Sequence, residues 1–177
     1  MSLTLAAALA TTLNFGIFTL VAIWYVAPWL GTQQRAVALG ALVWVQVFRD
    51  IALQIFSAQK FGLLVSDPTR DIIAYGDVAG SILALISLVA LRYWPRVAAL
   101  LVWMLVLETV ADLLYGTIAG IQEEIFEKAF GVTWMILAFY VPMLWVSLVL
   151  TVWQLHSRRS ETFSLAFAQK PLSRGPS

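Results

Sequence analysis

The sequence predicts an all-α fold: a polytopic helical membrane protein, built as a bundle of five transmembrane helices with short interhelical turns. Three observations carry this. Of 177 residues, 61% are hydrophobic and 12% charged, and mean hydropathy is +0.86, whereas a soluble domain is about half apolar and about a quarter charged. Five stretches supply the about 20 apolar residues that a helix needs to cross a hydrocarbon core about 30 Å thick. Two of the four breaks between them are short turns, the other two are longer, and all carry polar residues, Gly or Pro.

The first span is expected over 4–30. Ala8-Leu9-Ala10 resembles a signal-peptide cleavage site, but no Lys or Arg precedes it and the apolar run continues past Trp24, so a retained helix is expected. Gly31-Thr32-Gln33-Gln34 turns the chain into the second span, 36–58. In the connection that follows, Lys60 to Val65 reads as a dip into the interface and Ser66-Asp67-Pro68-Thr69 as an Asp-Pro turn. The third span, 72–93, and the fourth, 97–119, are separated by Trp94-Pro95-Arg96, where Pro95 acts as a breaker. Ile121, Ile125 and Ala129 then fall on one helical stripe with acids opposite, the pattern of a short helix lying on the outer surface. The fifth span is expected over 132–155, which makes 1–156 one five-helix domain and leaves 157–177 as a disordered cytoplasmic tail.

Orientation follows from the basic residues, because cytoplasmic loops accumulate Lys and Arg. With the N-terminus outside, Arg35, Arg92, Arg96, Arg158, Arg159, Lys170 and Arg174 fall inside, against Lys60, Arg70 and Lys128 outside. Trp24, Tyr25, Trp29, Tyr93, Trp94 and Trp153 then form an interfacial belt near the inner boundary. The expected location is a bacterial inner (plasma) membrane with the C-terminus in the cytoplasm.

Composition also removes several chemistries. A net charge of +1 gives no case for a nucleic-acid partner. With no Cys, disulfides, thiolate metal sites and cysteine nucleophiles are excluded. His156 is the only His, and Lys60, Lys128 and Lys170 all lie outside the spans, so neither a bis-histidine haem nor a buried Schiff base is expected. No metal and no cofactor are expected.

What remains is a set of ionisable side chains inside the spans: Arg49 and Asp50 in the second, Asp77 in the third, Glu108 and Asp112 in the fourth. A central Asp, Lys or Arg costs about 2.5–3.5 kcal/mol on insertion, so such residues face the bundle interior and are functional candidates. At a rise of about 1.5 Å per residue, Asp50, Asp77 and Asp112 lie within about 8–12 Å of the outer helix ends, on one level. Glu108 sits one turn deeper than Asp112 on the same face. Gln46, Asp50 and Gln54 form an i, i+4, i+8 polar stripe with Arg49 beside it, and Asn14 and Tyr140 fall at comparable depth. Gly76-x3-Gly80 and Gly116-x3-Gly120 permit close backbone approach. Tyr75, Tyr115 and Ser81 add hydroxyls, and Pro142 leaves the Ala138 carbonyl as a free acceptor.

One Arg against four carboxylates leaves an excess of negative charge that a low-dielectric site does not tolerate. The expected arrangement pairs Arg49 with Glu108 or Asp112 and leaves the other acids to titrate or to bind a cation. Three functions follow. The first is a small transport or ligand-binding protein for a cation, a proton or a lipophilic amine flanked by Trp44, Trp103, Tyr115 and Tyr140. The second is a non-catalytic subunit or assembly factor of a larger membrane complex, or a homo-oligomer, for which the charges only fix helix register. The third is an intramembrane enzyme acting on a lipid-like substrate, with Asp50, Glu108 or Asp112 as acid and base. In each case membrane lipids are the immediate surroundings.

Overall fold

The computed structural model describes residues 3–161, and all its regular elements are helical. Five helices are long and apolar enough to cross a membrane: α1 (Leu3–Thr32), α2 (Arg35–Lys60), α3 (Asp67–Tyr93), α4 (Pro95–Gln122) and α6 (Gly131–Ser157), with a short α5 (Ile125–Lys128) between the last two. Each long helix runs a few residues past the apolar stretch that predicts it. The expected tail lies mostly in 162–177, outside the described residues. Its first residues are described: Arg158 pairs with Glu161 at 2.6 Å, and the Glu161 carbonyl accepts from Arg35 at 2.7 Å.

The main core lies between α2, α3, α4 and α6 in the half of the bundle near Pro95, where Leu39, Val43, Ala84, Val102, Leu105 and Leu148 are buried together. The other half has its own cluster, in which Ile55, Ala58, Leu63, Val65, Ala74 and Ile125 close the end of the bundle. α1 stands apart from both. It packs mainly along α6, through the edge-on rings of Phe18 and Phe139 at 5.0 Å, and most of its surface is left exposed.

Three helices are locally rewound, and each rewinding has a consequence. Pro28 and Pro142 lack the amide that would bond four residues back. The turn before each proline widens into a π segment, Ala22–Val26 and Ile136–Tyr140. The carbonyl of Ala138, left without its usual amide, accepts from Asn14 Nδ2 at 2.8 Å. Asn14 therefore ties α1 to α6 and does not join the buried charges. In α2, Phe48–Leu53 tighten into a 3-10 turn, advancing each residue by about 120° instead of about 100°. Arg49 and Ala52 are thereby buried on one face, and Asp50 turns to the outside.

The connections also differ from the periodic pattern. Asp67-Pro68 is the first turn of α3 rather than a free turn, capped by Ser66, whose Oγ accepts from the Thr69 amide at 3.4 Å. The helix expected from Ile121 onward breaks at Glu123-Glu124, where Glu124 adopts a left-handed φ of 55°. Ile125 and Ala129 stay buried after the break, whereas Ile121 is exposed. Lys128 Nζ holds the turn by donating to the Glu123 carbonyl at 2.8 Å.

Glu123 fastens this end to the α2–α3 connection, since its carboxylate accepts from the Ser66 amide at 2.8 Å and from the Ser66 hydroxyl. Hydrogen bonds from Ser66 and Thr69 hold its pKa below the ordinary 4.5. Stability from a depressed carboxylate pKa is fully present above the ordinary value and is lost as pH falls through the folded value. Thermal melts from pH 7 down to pH 3 should show a loss of stability beginning near about 4.5 that is smaller in Glu123→Gln, which lacks this titration; parallel pH profiles for the two proteins would refute the tie.

Candidate functional site

Arg49, delivered inward by the 3-10 turn of α2, is the centre of the site and is fully buried. Its guanidinium has five N–H donors, and all five are used. Nε donates to Asp77 Oδ1 at 2.8 Å, and Nη1 to Glu108 Oε2 at 2.7 Å and Thr109 Oγ1 at 3.0 Å. Nη2 donates to Glu108 Oε1 at 3.3 Å and Asp112 Oδ2 at 2.6 Å. Three carboxylates from two helices thus close around one cation from a third. Asp77 and Asp112 side chains are 15% and 16% exposed, and Glu108 24%.

Room for the guanidinium comes from α3. A Cβ on Gly80 would overlap Arg49 and lie 2.9 Å from Glu108 Oε2, and a Cβ on Gly76 would overlap the Asp112 carboxylate. The Gly76-x3-Gly80 pair therefore admits charged side chains, not a neighbouring backbone. Gly116 differs again: a Cβ there would meet nothing within 4 Å. It borders a cavity.

That cavity, of about 100 Å³, lies between α2, α3, α4, α5 and α6 on the Glu123 side of the charges. This is several times the space one water requires. Its walls are mostly apolar, including Ile51, Ile55, Ile73, Leu113, Ile136, Leu137 and Leu144, with Phe126 of α5 contributing at the closed end. Arg49, Asp77 and Asp112 meet it on one side, and Gln54, Thr117, Thr133 and Tyr140 supply its remaining polar groups. Gln54 Nε2 donates to Thr133 Oγ1 at 3.0 Å and Tyr140 Oη to the Val45 carbonyl at 2.9 Å, so these positions are fixed. Asp77 and Asp112 each accept from Arg49 on one oxygen only; among the described residues, Asp77 Oδ2 and Asp112 Oδ1 accept nothing.

The structure brings together Arg49, Asp77, Glu108 and Asp112, with Gln54 and Tyr140 around the adjoining cavity. It does not bring in Asp50. The expected i, i+4, i+8 stripe assumed 3.6 residues per turn throughout, and the 3-10 turn puts Arg49, not Asp50, on the inner face. Asp50 makes no hydrogen bond or ion pair among the described residues. Gln46 is buried but bonds Ser147 Oγ at 3.0 Å, deeper in the bundle. Tyr115, Trp44 and Trp103 are exposed on the outside. The pairing is also broader than expected, since Arg49 serves three acids rather than Glu108 or Asp112 alone. Thr109, Thr133 and Thr117 were not anticipated. Thr109 directly follows Glu108 in an apolar helix, and that adjacency was the available signal.

An all-helical chain with five helices long and apolar enough to cross a membrane, enclosing one arginine and three acids, is the class that fold and site define. The chain belongs to the family described as a domain of unknown function (DUF8737), which matches residues 6–156. No curated protein and no solved structure matches it.

Removing one partner of a buried ionic network leaves uncompensated charge and costs about 3–5 kcal/mol. Arg49→Met should therefore destabilise by that order in denaturation measurements, and Arg49→Lys should recover little, because one ammonium cannot serve three carboxylates. Gly80→Ala should cost about 1–3 kcal/mol through overpacking against the pinned guanidinium, whereas Gly16→Ala, with nothing within 4 Å of its Cβ, should not destabilise. Equal stability of Gly80→Ala and wild type would contradict the geometry.

Proposed function

We propose that the chain is a polytopic integral membrane protein crossing five times, N-terminus outside and C-terminus cytoplasmic, in a bacterial inner membrane. Within it, the Arg49 cluster and adjoining cavity act as the binding site of a small transport or ligand-binding protein for a cationic ligand. One observation carries the reading: Asp77 and Asp112 are each held by Arg49 through one oxygen while both line the cavity. A single guanidinium against three carboxylates leaves two negative charges when all are ionised, and a low-dielectric site requires compensation. A proton or a cation entering the cavity supplies it. The bundle depth of the site and the high cost of placing acids in a spanning helix support the same conclusion.

Reconstituted protein should take up or bind methylammonium, or carry protons as read by a trapped pH dye. Asp77→Asn and Asp112→Asn should each reduce this at least tenfold, while Asp50→Asn, outside the cluster, should behave as wild type. Wild-type behaviour of both cluster variants would refute the reading.

A second reading, a subunit of a larger membrane complex, is favoured by a separate observation. Asp50 lies midway along α2, exposed among Phe48, Ile51 and Leu53, and α1 leaves most of its length uncovered. Native mass spectrometry from nanodiscs separates the two: a stable, functional monomer supports the first reading, and a defined complex lost in Asp50→Leu supports the second.

A further inference from the structure

The cavity is closed at its end and open at its side. At the end, Ile125 packs with Ile55, Leu63, Val65 and Ala74, and Phe126 lies 3.4 Å from where a Gly120 Cβ would be. At the side, α4 packs on the 141–157 part of α6, through Leu105 and Leu148, but hardly on residues 131–140. Into that divergence open Gly116, with nothing near its Cβ position, and Thr117, which lines the cavity and is itself exposed. Ile136 and Tyr140, from the π segment that Pro142 imposes, form the opposite wall. The surfaces flanking the gap, Leu114 and Ile118 on α4 and Val132 and Met135 on α6, are apolar and exposed.

We propose that the ligand is a single-chain lipophilic amine that enters sideways from the bilayer, between α4 and α6. This rests on the cation-binding reading above and names its substrate class and route. A hydrated inorganic cation has no polar path through an apolar side opening, whereas an amphiphile already in the membrane does. Its apolar chain matches the isoleucine and leucine walls. Its ammonium, with three donors, matches the carboxylate oxygens that Arg49 leaves without a donor. The three acids are drawn to the guanidinium, and among the described residues no three acidic or histidine side chains form a group that could hold a metal ion. That geometry favours an added hydrogen-bond donor over a chelated ion. Gly116 is then the specificity-determining position: any side chain there projects into the entrance.

The test is saturation binding of tritiated n-dodecylamine to the full-length protein in phosphatidylcholine nanodiscs at pH 7. Saturable binding is expected, with dodecanol and dodecanoate failing to displace it and methylammonium displacing it at least a hundredfold less effectively. Gly116→Trp and Ile136→Trp, placed on opposite walls, should each weaken binding at least tenfold while melting like wild type. Val149→Trp, on the outside of α6, should leave it unchanged. Methylammonium displacing as well as dodecylamine would overturn the amphiphile and leave the cation site standing. Unchanged binding in Gly116→Trp and Ile136→Trp, with loss in Asp112→Asn, would overturn the side route alone. Binding indifferent to Asp77→Asn and Asp112→Asn, or no saturable binding of either amine, would overturn both.

Discussion

The structure depends on one desolvated guanidinium. Arg49 is taken wholly out of water, and that is tolerable only because every one of its N–H groups finds an acceptor. Meeting this condition dictates much else. Asp77 must come from α3, Glu108, Thr109 and Asp112 from one face of α4, and α3 must lack a side chain where the guanidinium passes. The 3-10 turn of α2 belongs to the same set, because it points Arg49 inward at the expense of Asp50. Three helices are thereby locked in rotation and in axial register by a single side chain.

Around this lock the bundle is uneven. One half is filled by close-packed aliphatic residues, whereas the half beyond the charges holds a cavity whose walls are set by backbone irregularity. The π segment of α6 widens the helix opposite Gly116, and Pro142, which causes it, is itself buried. π segments recur at functional sites because they displace side chains from the regular ladder. Here one of the displaced residues is Tyr140, aimed between the cavity and α2.

Much of this was legible in the sequence and part was not, for physical reasons. The five helices followed from length and hydropathy, and the inward gathering of Arg49, Asp77, Glu108 and Asp112 from the cost of leaving charge in an apolar phase. The Ala138 carbonyl was identifiable as an acceptor from Pro142 alone, although its donor, Asn14, was not. Asp50 was misplaced because a regular period cannot anticipate a local change of winding, and Phe48–Leu53 contains no Pro or Gly that would mark one. The small-residue pairs were misread for a related reason. Spacing shows that a face is open, but only the fold shows what enters it: a guanidinium at Gly80, a carboxylate at Gly76, and nothing at Gly116.

The way the three acids are spaced along the chain has a consequence for biosynthesis. Asp77 follows Arg49 by 28 residues, whereas Glu108 and Asp112 follow by 59 and 63. As the polypeptide emerges, α2 carries its cation with no ionic partner until α3 is made, so these two helices have reason to enter their final environment as a hairpin. α4 then arrives with two more anions than the hairpin has cations left unmatched. The hydrogen bonds that satisfy the arginine thus become available in sequence, from first one helix and then the next.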